Sequence, residues 1–163
     1  MKNADQYVSD IQKSLQTLLQ NIQPEMMESM AMHEVTPAQL FVLASLKKHG
    51  SCKVSEIAER MEVKPSAVTL MADRLEQKGL IVRKHNQQDR RVIDISLTKK
   101  GEKKFEDVVE GRKAILARNL SVLTDEELLQ SMNIVRKVAE AAEKYAADKK
   151  ENDRKEELPK HEH

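Results

Sequence analysis

The sequence predicts a mainly α-helical chain with one small β-hairpin, and three observations carry that reading. Charged residues make up 34% of its 163 residues and aromatics only 2%, a balance that suits helices better than a sandwich or barrel. Gly and Pro number four each, too few for the many turns of an all-β fold. Apolar residues recur at helical spacing over most of the chain, and the period changes in one place, between Leu80 and Leu97.

The first helix spans Asp5 to about Met30, with Tyr7, Val8, Ile11, Leu15, Leu18, Leu19 and Ile22 on one face. Pro24 lies inside it, and a kink or restart is expected there. Thr36-Pro37-Ala38-Gln39 opens the second helix as a capping box with proline in the first turn. Its inner stripe is read as Leu40, Leu43, Ala44 and Leu46, and Gly50 stops it. A short third helix, Ser55 to Met61, is joined by Glu62-Val63-Lys64 to a fourth that runs from Pro65 to Lys78 and stops at Gly79.

Leu80-Ile81-Val82-Arg83-Lys84 and Arg91-Val92-Ile93-Asp94-Ile95-Ser96-Leu97 are rich in β-branched residues and read as strands. The polar segment His85 to Arg90 joins them as a hairpin. Thr98 caps a fifth helix carrying Phe105, Val108, Val109, Arg112, Ile115, Leu116 and Leu120. Thr124-Asp125-Glu126-Glu127 is a second capping box, opening a sixth helix with Leu128, Leu129, Met132, Val135, Val138 and Ala142. From Asp148 onward eleven of sixteen residues are charged. Such a tail buries too little to offset its ordering entropy, and it is expected to be disordered.

No run approaches the ~20 apolar residues of a membrane span, and the N-terminus lacks the apolar core of a secretory signal. A single cysteine, Cys52, excludes an internal disulfide framework and fits a reducing compartment. The expectation is a cytoplasmic protein with no membrane partner. No glycine-rich phosphate loop or nucleophile motif is present, so no catalysis is expected. His33, His49 and His85 are scattered, and neither a metal nor any other cofactor is expected.

Charge is unevenly placed. Thr36 to Gly101 holds thirteen Lys/Arg against seven Asp/Glu, a net of +6, and the remainder holds fifteen against twenty, −5, giving +1 overall. A basic centre is suited to meeting a polyanion.

Two helices joined by a three-residue turn have the form of a helix-turn-helix. In that motif the second helix enters the DNA major groove, N-terminal residues at the base edges. Val68, Met71, Ala72 and Leu75 are read as its inner face, leaving Ser66, Ala67, Thr69, Leu70 and Asp73 outward. Small and hydroxyl residues permit close approach and can bond to bases or phosphates. Lys64 and Arg74 add cations at the two ends. Arg83, Lys84, Arg90 and Arg91 cluster on the hairpin, read as a wing reaching the minor groove, whose negative potential suits arginine. The fold class is therefore a winged helix-turn-helix core flanked by N- and C-terminal helices.

In order along the chain stand Thr36-Pro37-Ala38-Gln39-Leu40, Val54-Ser55-Glu56-Ile57-Ala58, Leu75-Glu76-Gln77-Lys78-Gly79-Leu80-Ile81-Val82-Arg83, Asp89-Arg90-Arg91 and Leu97-Thr98-Lys99-Lys100-Gly101. With these motifs the chain resembles the MarR family of bacterial transcription regulators, most specifically in the Asp-Arg-Arg wing. The resemblance implies a homodimer on pseudo-palindromic double-stranded DNA, functioning as a repressor released by a small effector. It implies that Asp89 braces the wing by pairing with a neighbouring arginine, holding Arg90 and Arg91 for the minor groove. One departure is Leu70 after Thr69, where relatives often carry a basic residue; contact with a thymine methyl is the substitute.

The division expected is 1–34 as an N-terminal dimerisation helix, 35–101 as the DNA-binding domain, 102–147 as C-terminal dimerisation helices and 148–163 as a disordered tail. Met26, Met27, Met30 and Met32 crowd the joint between the first two helices, where the resemblance places a crevice for small aromatic or lipophilic effectors. Methionine suits such an adaptable lining, although ordinary packing of a joint needs it equally. Two alternatives stay open on the residues alone: a winged-helix adaptor for other proteins, and a redox-sensing regulator acting through Cys52.

Overall fold

A computed structural model of the chain describes residues 2–86 and 92–156. Six helices and three strands follow in order: α1 (Lys2–Met32), α2 (Pro37–His49), β1 (Ser51–Lys53), α3 (Val54–Met61), α4 (Pro65–Gln77), β2 (Ile81–His85), β3 (Ile93–Leu97), α5 (Lys99–Leu120) and α6 (Asp125–Glu156). The chain divides after Ala117 into two compact units. The first contains α1, the winged core and most of α5; the second contains the end of α5 and α6.

Local chemistry sets the helix boundaries. Thr36 Oγ1 accepts from the Gln39 N–H at 3.2 Å while Gln39 Oε1 accepts from the Thr36 N–H at 3.1 Å, closing the capping box of α2. Gly50 ends α2 at φ 76° with its N–H on the Leu46 carbonyl at 2.8 Å, a conformation glycine reaches without a Cβ penalty. The same box recurs at α6 between Thr124 and Glu127. The Glu127 carboxyl is held below the ordinary carboxylate range, first by the Thr124 N–H and then by its hydroxyl.

Three details differ from expectation. Helix α1 continues through Pro24 without a restart: proline removes one backbone donor, and the turns on either side still close. Ser51–Lys53 forms a third strand that sequence periodicity misses, because three residues are too short to show alternation. Helix α6 runs on to Glu156, so residues 148–156 are helical rather than disordered. That stretch is dominated by Lys, Glu and Arg, which have high helix propensity.

The sheet has the order β1-β3-β2, antiparallel throughout. Its inner face presents Cys52, Ile81 and Ile95 to a core that includes Val42, Leu43, Leu46, Ile57, Val68, Ala72, Leu75 and Val108. In α2 the buried set includes Val42 and Ser45, and Ala44 is only half-buried, so the inner stripe is broader than periodicity suggests. α1 joins this core only near its end, through Met30, with Ile22 and Ser29 also buried. Thus residues 1–34 and the winged core share one compact unit.

The step from β3 into α5 depends on one glycine. Thr98 donates its hydroxyl to the Gly79 carbonyl at 2.7 Å and accepts the Gly101 N–H at 3.0 Å. Its own N–H reaches the Leu80 carbonyl at 3.1 Å. A Cβ on Gly101 would stand 1.8 Å from that carbonyl oxygen, so α5 can start here only on glycine. No helix among the described residues is long and apolar enough to cross a membrane.

Candidate nucleic-acid interface

The turn between α3 and α4 is tight. Glu62 adopts the left-handed conformation at φ 55°, and the Val63 N–H returns to the Ala58 carbonyl at 3.0 Å. Lys64 is extended (φ −68°, ψ 143°), as a residue before proline must be, and Pro65 starts α4 where no N–H is needed.

Val68, Ala72 and Leu75 are wholly buried, and Met71 packs partly against them. This fixes the rotation of α4 and leaves Lys64, Ser66, Thr69, Leu70 and Arg74 exposed. Ala67 and Asp73 are half-buried at the edges of that face. Leu70 is 53% exposed, an apolar side chain on an otherwise polar surface. The Thr69 hydroxyl donates to the Pro65 carbonyl at 3.0 Å, leaving its oxygen lone pairs to accept from outside.

The wing follows from strand parity. Ile81 pairs with Leu97 and Arg83 with Ile95, so Ile81, Arg83 and Ile95 share the inner face, whereas Lys84 stands on the other. Lys84 is exposed. At the wing's base the Asn86 N–H donates to the Val92 carbonyl at 2.9 Å, and its side-chain amide to Asp94 Oδ2 at 2.7 Å. Asp89, Arg90 and Arg91 lie outside the described residues.

Arg83 is only half-buried, and its guanidinium turns toward α4. One of its terminal nitrogens donates to Asp73 Oδ1 at 2.5 Å and to the Thr69 carbonyl at 3.2 Å. Its Nε lies 3.6 Å from Glu76 Oε2. The reason is the parity just described: a residue two positions from buried Ile81 points toward α4. The signal was available in the sequence, since fixing Ile81 and Ile95 inward fixes Arg83 inward. Asp73 and Glu76 were missed as its partners for the same reason.

Two of the four methionines, Met26 and Met30, share a face of α1 and both adjoin Arg112. Met30 lines a cleft of about 270 Å³ with Pro37, Leu40, Phe41, Ala44 and Arg112. Met26 accepts at its sulfur from Arg112 Nε at 3.4 Å, while Met27 and Met32 are 44% and 75% exposed. Successive residues on a helix turn by about a hundred degrees, so Met26 and Met30 stand on one face of α1 while Met32 is carried away from it. Cys52 is buried in β1, with the Arg60 guanidinium 3.4 Å from its sulfur. Among the described residues no group of three or more His, Cys, Asp or Glu could hold a metal ion.

A short helix, a tight turn, a second helix with an open polar face and an adjoining three-stranded wing define a winged helix-turn-helix protein. The MarR family model matches residues 35–93. The chain belongs to the MarR family of transcription regulators. It is 71% identical over 152 residues to the HTH-type transcriptional repressor MdtR of Bacillus subtilis, covering 93% of this chain and 96% of that one. Its fold is similar to the crystal structure of the Bacillus subtilis YusO protein (TM-score 0.75, 73% identity, 85% of this chain and 98% of that one). It is also similar to a MepR-like protein complexed with pseudoligands (TM-score 0.54, 33% identity, 81% and 93% covered).

Proposed function

We propose that this chain is a homodimeric transcriptional repressor that grips a pseudo-palindromic duplex with two copies of α4 and two wings. The observation that carries the reading is the rotation of α4. Its apolar face is wholly buried, so Ser66, Thr69, Leu70 and Arg74, with Lys64 before them, form an open face able to enter a major groove. Ala67 at the edge allows close backbone approach, and Leu70 suits a thymine methyl. Lys84, Arg90 and Arg91 would meet the minor groove and its phosphates, with Asp89 bracing the tip. Repression is supported by the 71% identity to a named repressor.

The dimer is supported by apolar residues that their own unit leaves uncovered. On α1, Tyr7, Val8, Ile11, Leu15 and Leu19 are each more than half exposed. In the second unit Leu129, Val135, Val138 and Tyr145 are exposed to a similar degree. Contiguous apolar faces of this kind mark association surfaces. A two-fold pair would set the half-sites roughly 34 Å apart.

Release by a small aromatic or lipophilic effector is the final part of the reading. The Met30–Phe41 cleft offers apolar walls with Arg112 at its border, and a MepR-like relative is known complexed with pseudoligands. The test is equilibrium binding to duplex DNA at several salt concentrations, with molar mass by light scattering. Salt-sensitive affinity by a dimer is expected; salt-insensitive or absent affinity would favour a protein adaptor. Phenolic and lipophilic compounds should then raise the melting temperature and release the duplex, and failure of both would remove the effector.

A further inference from the structure

We propose that Arg83 is a positioning residue: it fastens the wing to α4 and offsets one of the two negative charges of Asp73 and Glu76 beside the DNA-facing surface, without itself touching DNA. This rests on α4 and the wing being that surface.

Thr69, Asp73 and Glu76 are spaced four and three apart, so they form one stripe along α4. A single guanidinium from β2 serves all three: one terminal nitrogen donates to Asp73 at 2.5 Å and to the Thr69 carbonyl at 3.2 Å, and Nε stands 3.6 Å from Glu76, an ion pair beyond hydrogen-bond reach. Its side chain is 24% exposed, against 42% for Asp73 and 41% for Glu76, so the cation is the inner member of the group. The planar guanidinium holds its donors in a fixed geometry, whereas an ammonium carries its three donors on a flexible stem with no fixed orientation.

Two consequences follow. The strand that carries Lys84 is fixed in angle to the helix that carries Ser66, Thr69 and Leu70, so both can fit one duplex together. The carboxylates of Asp73 and Glu76 carry two negative charges against the one positive charge of Arg83, so their repulsion of phosphate is reduced. Removing a negative charge from a DNA-binding face ordinarily tightens binding to any DNA. Here loss of the acid also frees the wing, and the two effects have opposite signs on a specific site.

The test uses the full chain and two probes, a duplex that the wild type enriches from a random pool and poly(dI-dC), with thermal melting in parallel. Asp73→Asn and Glu76→Gln each raise the net charge by one. The expectation is that Asp73→Asn weakens binding to the enriched duplex about tenfold, the scale of one charged hydrogen bond, while poly(dI-dC) binds as well or better. Glu76→Gln should follow in the same direction and by less. Arg83→Lys keeps the charge but loses the fork, and is expected to weaken the enriched duplex while leaving poly(dI-dC) unchanged.

Tighter binding of both DNAs by Asp73→Asn would overturn the proposal, because Arg83 would then be a cation that Asp73 had masked. Normal binding of the enriched duplex by Arg83→Lys, beside a loss in Asp73→Asn, would overturn it too, since Asp73 would itself meet a base. Equal losses on both DNAs that track a lower melting temperature would reduce the group to a folding element. Absence of salt-sensitive binding by the wild type would instead refute the DNA-binding reading beneath it.

Discussion

In the winged core, Leu43, Ile57, Val68, Leu75 and Ile95 have no exposure to solvent, whereas along α1 Tyr7, Val8, Ile11, Leu15 and Leu19 are each more than half exposed. Both sets are large apolar side chains at regular spacing, so composition does not separate them. What differs is the availability of a second surface. Three short helices and a three-stranded sheet close on one another; the N-terminal part of α1 has no layer of its own unit to lie against. The core thus covers itself, and the long helix keeps an apolar face open.

Substitutions at matched residues should expose that contrast. Leu43→Ala in the core is expected to cost about 2–5 kcal/mol, independent of protein concentration, as read by denaturant unfolding. Leu15→Asp on α1 should leave the helical circular-dichroism signal of the core intact and convert the dimer to monomer by light scattering. If Leu15→Asp unfolds the chain as Leu43→Ala does, the two regions are not distinct in kind. At the boundary between them, Thr36→Ala removes the cap that starts α2 and should cost about 1 kcal/mol. The smallest expected effect is at the turn before α4. Glu62→Gly relieves a left-handed backbone at φ 55° and should stabilise by a few tenths of a kcal/mol, the strain relief being partly offset by unfolded-state entropy.

Much of this was legible in the sequence because local chemistry decides it. The two capping boxes, Pro65 at the first position of α4 and the stop at Gly50 act within a few residues, and each is where the residues place it. On α4 the exposure of Ser66, Thr69 and Leu70 is legible too, since three apolar residues at helical spacing fix a helix's rotation, while Ala67 and Asp73, expected outward, are half-buried at the edges. Features that depend on pairing at a distance were not. Strand β1 exists because Cys52 pairs opposite Ile95, which its own three residues cannot reveal. Arg83 is an intermediate case: strand parity with Ile81 gives its side of the sheet, but its partners Asp73 and Glu76 on α4 emerge only from the packing of strand on helix. Of the methionines near the end of α1, Met26 and Met30 meet Arg112, a residue 80 or more positions away that local spacing does not reveal.

The most direct measurement is the affinity of the wild-type chain for duplex DNA as salt is raised. Two reading helices and two wings neutralising several phosphates predict a linear fall of log affinity with log salt, by about 1,000-fold or more between roughly 50 and 200 mM. An affinity that stays level across that range would contradict the account, whatever the fold.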